Sequence, residues 1–166
     1  VLTKSMLTFG KNMSQEATSF SINQLLEELV SLAKCYCSEK QIELKIQLDN
    51  DCELVANRVY LAQAFLNIMV NAIDYSNKRD TIYVKSKVEV EANEISISIQ
   101  DTGRGMSVEK KHKIFEKHYS SGRETHNSGL GLSLVKRVID DHKGTIVVDS
   151  EKGKGTVFTI KLQLEA

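Results

Sequence analysis

Hydrophobic and polar positions along this chain change period several times, and each change marks an element. Leu25, Leu26, Leu29, Ala33, Tyr36 and Cys37 recur at helical spacing behind a Ser21-x-x-Gln24 capping box, which predicts an amphipathic helix over 22–38. Ile42, Leu44, Ile46 and Leu48 alternate with polar residues, the period of a half-buried strand. Asn57 is a good N-cap for a second helix running to about Tyr75, with Ala62, Phe65, Leu66, Met69 and Ile73 as its core face. Two alternating strands follow, one carrying Ile82, Val84, Val88 and Val90, the other Ile95, Ile97 and Ile99. The short loop at 91–93 makes them a hairpin. A third helix is expected over 129–142, with Gly131, Leu134, Val135, Val138 and Ile139 on one face and Gly144 stopping it. Strands over 145–150 and 156–164, joined at Gly153 and Gly155, close the pattern.

Helices interleaved with hairpin-like strands, without strict β-α-β alternation, imply a two-layer α/β sandwich. Its sheet is mixed and mainly antiparallel, and its helices lie on one face. Residues 1–14, which mix apolar and basic side chains, read as the end of a helix and a linker, and 15–166 as the domain. The total of 166 residues fits one such domain. Hydrophobic residues at 41% and charged residues at 27% are ordinary for a soluble protein. Lys plus Arg equals Asp plus Glu, 22 of each, so bulk charge gives no support for a nucleic-acid partner. No apolar run approaches the ~20 residues of a membrane helix, so no membrane contact is expected from these residues, with anchoring of a full-length protein left open. Cys35, Cys37 and Cys52 suit neither a bridge nor a zinc site, and fit reduced thiols in a cytoplasmic protein.

Three segments have a composition that packing alone does not require. On the second helix, Gln63, Asn67, Asn71 and Asp74 form a polar stripe without the Glu and Lys of a solvated face. Aligned amide oxygens suit a hard cation that keeps part of its water shell, such as Mg²⁺. Asp101-Thr-Gly-Arg-Gly105 follows an alternating strand; its carboxylate can accept from an exocyclic amine, and its glycines admit a flat ligand. A plain turn would use the same residues. Ser128-Gly-Leu-Gly-Leu132 opens the third helix, where free N–H groups and the dipole favour phosphate. Close helix-to-sheet packing at Gly131 is the structural alternative. The P-loop and dinucleotide fingerprints are both missing.

The order of these segments is more specific than any of them. An Asn-rich helix, DxGxG, a long polar loop over Glu116–Ser128, GLGL and Gly153-Lys-Gly-Thr156 together resemble the N, G1, F, G2 and G3 boxes of sensor histidine kinases. The resemblance covers about residues 15–164 and implies the Bergerat sandwich shared with gyrase, heat-shock chaperone and mismatch-repair ATPases. It also implies roles. Asn71 matches the Mg²⁺-binding asparagine and Asn67 a second catalytic position near the phosphates. Tyr75 matches an aromatic against the adenine, and Asp101, with Gly103 and Gly105, the reader of its amino group. Ile114-Phe115-Glu116 resembles the F box heading an ATP lid. Gly129, Leu130, Gly131 and Leu132 resemble the phosphate-side backbone, and Thr156 a position near the base.

Three departures accompany the match: Asp74 where Lys or Arg is common, Lys117 where proline follows the Phe-Glu pair, and Asn127 where a further glycine is common. Lys117, Arg123 and Lys136 are candidates for the missing positive charge. Hydrolytic relatives carry a glutamate one turn before the metal asparagine; here Asn67 cannot act as a general base. His112, His118, His126 and His142 all follow the N box, so the acceptor histidine is expected on a dimerisation domain of the same kinase, homodimeric at full length, with residues 1–14 the stump of its helix. A response regulator is the next expected partner. A serine kinase of the anti-sigma-factor type and a non-catalytic nucleotide sensor share the fold and remain the alternatives.

Overall fold

The computed structural model describes residues 16–116 and 131–164. The chain opens with β1 (Thr18–Ser21), α1 (Ile22–Lys40), β2 (Glu43–Leu48) and β3 (Glu53–Ala56). Next come α2 (Arg58–Tyr75), β4 (Thr81–Glu89) and β5 (Glu94–Asp101). A short α3 (Val108–Lys113), α4 (Gly131–Asp141), β6 (Thr145–Glu151) and β7 (Gly155–Gln163) complete it.

The strands order as β2-β4-β5-β7-β6, and every neighbouring pair is antiparallel except β2 with β4. Alternation along β5 decides which side is core: Ile95, Ile97, Ile99 and Asp101 are buried while their neighbours are half-exposed. Ile82, Val84, Phe158, Ile160 and Leu162 share that buried side, where the apolar faces of α1, α2 and α4 complete a single core. The mixed, mainly antiparallel sandwich expected from the pattern is the fold observed. Phe65, Leu61, Ile68 and Met69 of α2 are at most 1% exposed. At about 1.5–3 kcal/mol per large apolar side chain, that burial fixes α2 as the central helix.

The helix ends follow local chemistry. The Ser21 hydroxyl accepts from the Gln24 N–H at 3.0 Å, as the capping box implies. Asn57 caps α2 in the same way, accepting from the Tyr60 N–H at 3.1 Å. The Asn57 N–H in turn donates to His142 Nε2 at 3.1 Å. That assigns the imidazole proton to Nδ1, which donates to the Val138 carbonyl at 2.7 Å. His142 therefore pins the start of α2 to the end of α4 and is a structural histidine.

Some expectations change. The first helix runs two residues further, to Lys40, because Gln41 takes the left-handed conformation and its N–H caps the Cys37 and Ser38 carbonyls. Tyr36, placed on the buried face, is 39% exposed. Val90, placed in a strand, is 82% exposed in a short 3₁₀ turn. The inward alternation of β4 runs through Ile82, Val84, the buried Ser86, which donates to Asn23 Oδ1, and Val88, and ends before Val90. The paired β1 and β3, each 4 residues long, were not anticipated, since so short a run carries no period. Burial pushes the Cys37 thiol above its ordinary pKa, consistent with an unreactive core cysteine. No described helix is long and apolar enough to cross a membrane.

Candidate functional site

The site grows from the end of β5. Asp101 is its last residue, 4% exposed, on the helix side of the sheet between Ile82 of β4 and Thr156 of β7. Burial pushes its carboxyl above the ordinary carboxylate range, while backbone N–H groups of Gly103 and Thr156 pull it back down. The Gly103 N–H donates to Asp101 Oδ1 at 2.9 Å. Those N–H groups offset part of the cost of a buried carboxylate, and among the described residues no cation stands beside it to offset the rest. It holds its own turn through Gly103 and is in addition a candidate ligand contact.

The turn after it is locked against the end of α2. A Cβ on Gly103 would sit 2.4 Å from the Tyr75 carbonyl oxygen, so only glycine fits. The Arg104 N–H donates to that oxygen at 3.2 Å, and its guanidinium lies 5.4 Å from the Tyr75 ring centroid. Gly105 has φ +60°, and a Cβ there would lie 2.0 Å from the Glu151 carbonyl oxygen. Gly153 N–H donates to the Arg104 carbonyl at 2.8 Å, tying the turn to the β6–β7 connection. Tyr75, Asp101, Gly103, Gly105 and Thr156, far apart in sequence, thus form one rigid corner.

Asn67 and Asn71 lie two turns and one turn before Tyr75 on α2, both half-buried. Neither amide makes a side-chain hydrogen bond to a described residue. Asp74, the last member of the stripe, instead pairs with Lys40 Nζ at 2.8 Å, which ties α2 to α1. Because His142 joins opposite ends of α2 and α4, the two helices run antiparallel side by side. Counting back from His142 to Gly131 covers about the rise, at ~1.5 Å per residue, that separates Asn57 from Ile68. The start of α4 therefore stands beside Asn67 and Asn71.

Gly131 and Leu132 form that start. No described atom lies within 4 Å of a Cβ placed on Gly131, so the close-packing alternative has no neighbour to pack against. Leu132 is half-buried against the core. Phe115 packs edge-on against Phe158, centroids 6.5 Å apart at 81°, so the F-box position is anchored two residues from Thr156. Gly129 and Leu130, and the expected lid beyond Glu116 with His118 and His126, lie outside the described residues. Arg104 and Ser150 were missed by the sequence reading. Arg104 is the variable position of DxGxG, and Ser150 is one polar residue at a strand end, so neither carried a signal.

Residues 56–166 match the model of the histidine kinase-, DNA gyrase B- and HSP90-like ATPases. The heme sensor protein HssS of Staphylococcus saprophyticus is 37% identical over 139 residues, 84% of this chain and 30% of that protein. The sensor histidine kinase YclK of Bacillus subtilis is 32% identical over 174 residues, 99% of this chain and 36% of that protein. The chain thus spans about a third of the length of these curated relatives. Among solved structures, the nucleotide-free catalytic domain of histidine kinase ThkA superposes with a TM-score of 0.81 at 27% identity, covering 90% of this chain and 97% of that one. ThkA in complex with the response regulator protein TrrA gives 0.79 at 25% identity, covering 99% and 46%. The corner around Asp101 and the antiparallel pair beside Asn71 are built on the same fold, and the chain belongs to the histidine kinase-, DNA gyrase B- and HSP90-like ATPase family.

Proposed function

We propose that this chain is the ATP-binding catalytic domain of a two-component sensor histidine kinase. It holds ATP with Mg²⁺ and presents the γ-phosphate to a histidine on a separate dimerisation domain, for onward transfer to a response regulator. The observation that carries the reading is the juxtaposition of the buried Asp101 carboxylate, with no described cation beside it, with the Asn67–Asn71 face and the glycine start of α4. Names of the relatives support it: YclK is a sensor histidine kinase, and ThkA meets a response regulator.

The division of labour follows from the residues. Asp101 accepts from the base amino group, held in place by the Gly103 N–H. Tyr75 offers its ring to the base, and Thr156 its hydroxyl. Asn71 is suited to a hard cation, because its amide oxygen is a neutral oxygen donor not engaged within the described fold. No three His, Cys, Asp or Glu side chains among the described residues converge, so Asn71 would hold such an ion together with phosphate and water oxygens. Bound Mg²⁺ supplies neutralisation of phosphate charge. Backbone N–H groups at the start of α4 stabilise the same oxygens and orient the terminal phosphate outward. Asn67 carries no basic group, so no residue there deprotonates water, and transfer to a docked imidazole is favoured over hydrolysis.

Radiolabelled ATP tests the reading directly. The chain alone should bind ATP-Mg²⁺ and gain thermal stability by mass action, with little turnover and no stable label. A dimerisation domain bearing a His-acid pair, added in trans, should become labelled on that histidine in acid-labile, base-stable form. Label on a serine substrate instead would indicate the anti-sigma-factor type. Tight ATP binding with no transfer to any such domain would indicate the nucleotide sensor.

A further inference from the structure

The helix-side row at the end of the sheet continues beyond Asp101. In register, Asp101 of β5 faces Thr156 of β7, and Thr156 faces Ser150 of β6. Ser150 is half-buried and makes three short contacts. The Met106 N–H donates to its Oγ at 2.9 Å, its Oγ lies 3.0 Å from the Gly155 carbonyl oxygen, and 2.9 Å from Thr156 Oγ1.

These contacts fix where the hydroxyl protons go. An amide N–H can only donate and a carbonyl oxygen can only accept, whereas each hydroxyl has one proton and two lone pairs. One assignment puts a proton in all three contacts. Met106 donates to Ser150, Ser150 donates to Gly155, and Thr156 donates to Ser150. In the reverse sense Ser150 gives its proton to Thr156, and two oxygen lone pairs then face each other across 3.0 Å at Gly155. The Thr156 proton is therefore committed to Ser150, and only the Thr156 lone pairs remain for a ligand.

We infer that Ser150 is a specificity-positioning residue: it holds the Thr156 hydroxyl as an acceptor beside the Asp101 carboxylate, so the corner selects a 6-aminopurine over a 6-oxopurine. This rests on the ATP-site reading above. Two neighbouring acceptors welcome the N–H donors of an amino group and repel a carbonyl oxygen, and a site built this way rejects the wrong partner by leaving buried groups unpaired. Ser150 also holds Met106 at the far end of the turn that Asp101 holds at Gly103.

Calorimetric titration of the whole chain with ATP and with inosine triphosphate tests this, since adenine offers a 6-amino group beside a bare N1 where hypoxanthine offers a 6-carbonyl beside an N1–H. The wild type should prefer ATP. Ser150→Ala frees the Thr156 hydroxyl to donate, and the ATP-to-ITP affinity ratio should fall roughly five- to tenfold. Ser150→Thr should restore it. In a Thr156→Val background, Ser150→Ala should change the ratio no further. A purely structural serine would weaken both nucleotides equally, and an unchanged ratio in Ser150→Ala overturns the inference. If Ser150→Ala does not fold, Thr156→Val carries the test, and a wild-type ratio in that variant overturns it too. A wild-type chain that binds neither nucleotide overturns the ATP-site reading itself. One that prefers ATP, with Ser150→Ala keeping the preference, overturns only the role of Ser150.

Discussion

The two ends of the site are built in opposite ways. At the proposed base end, Asp101, Gly103, Arg104, Met106, Ser150 and Thr156 are tied to one another and to the sheet by hydrogen bonds, and Gly105 is packed against the Glu151 carbonyl. At the proposed phosphate end, Asn67 and Asn71 are half-buried amides without a described hydrogen-bond partner, and no described atom lies within 4 Å of a Cβ placed on Gly131. On the proposed reading, the base end is complete as a piece of protein, and the phosphate end is completed by ligand atoms. A corner already rigid loses little freedom when a flat ring enters, which suits specificity. Amides held ready on a helix, without internal partners, suit a charge that arrives with the substrate.

The largest expected effect belongs to the incomplete end. Asn71→Ala should remove the Mg²⁺-dependent part of ATP binding and slow transfer to an added dimerisation domain by roughly 10²–10³-fold, the scale for losing one preorganised charge-stabilising group. Adenosine affinity should hardly change, because the base corner does not include Asn71. ATP binding that keeps its full Mg²⁺ dependence in this variant would place the ion elsewhere. Equal losses for ATP and adenosine would erase the distinction between the two ends.

The next effect tests the complete end, where function opposes stability. Asp101→Asn should weaken ATP about ten- to hundredfold, the loss of a charged hydrogen bond in a buried pocket. It should also stabilise the nucleotide-free protein. Folding raises the Asp101 pKa, chiefly through burial, so the folded chain holds that proton more tightly than the unfolded one. Its contribution is then most favourable below the unfolded value, about 3.9, and declines as pH rises through the raised folded value. Thermal melts of the two proteins should converge in acid and diverge above that window, with wild type the less stable. Saturating ATP should narrow the gap. A wild type more stable than Asp101→Asn at neutral pH would mean the carboxylate serves the fold first.

How much of this was legible in the sequence follows the same division. Strict alternation in β5 and helical spacing in α2 placed the core, because burial of one face imposes a period on the chain. Gly103 and Gly105 were readable because the corner leaves no room for a Cβ at either, and Asp101 because it stands at a fixed spacing before them at the end of an alternating strand. Ser150 and Arg104 were not, since their roles come from pairing across β6 and β7 and from the end of α2, distances that no local pattern records. Val90 misled because it is apolar and in phase with the strand, yet the chain had already turned. The departure at Asp74 was visible but not its reason, which is Lys40, 34 residues earlier on another helix.

The smallest effect decides whether the open start of α4 is there for a ligand. Alanine is favoured over glycine by up to about 1 kcal/mol inside a helix, and less at its first residue. No described atom lies within 4 Å of the methyl that Gly131→Ala would add, so no clash offsets the gain. The free protein should therefore melt at the same temperature or up to ~2–4 °C higher. Phosphate oxygens approaching the first N–H groups of the helix would meet that methyl, so ATP should bind several-fold more weakly while adenosine binds as before. A variant that is more stable and binds ATP equally well would show that the glycine serves neither packing nor phosphate. The phosphate end would then rest on the α2 asparagines alone.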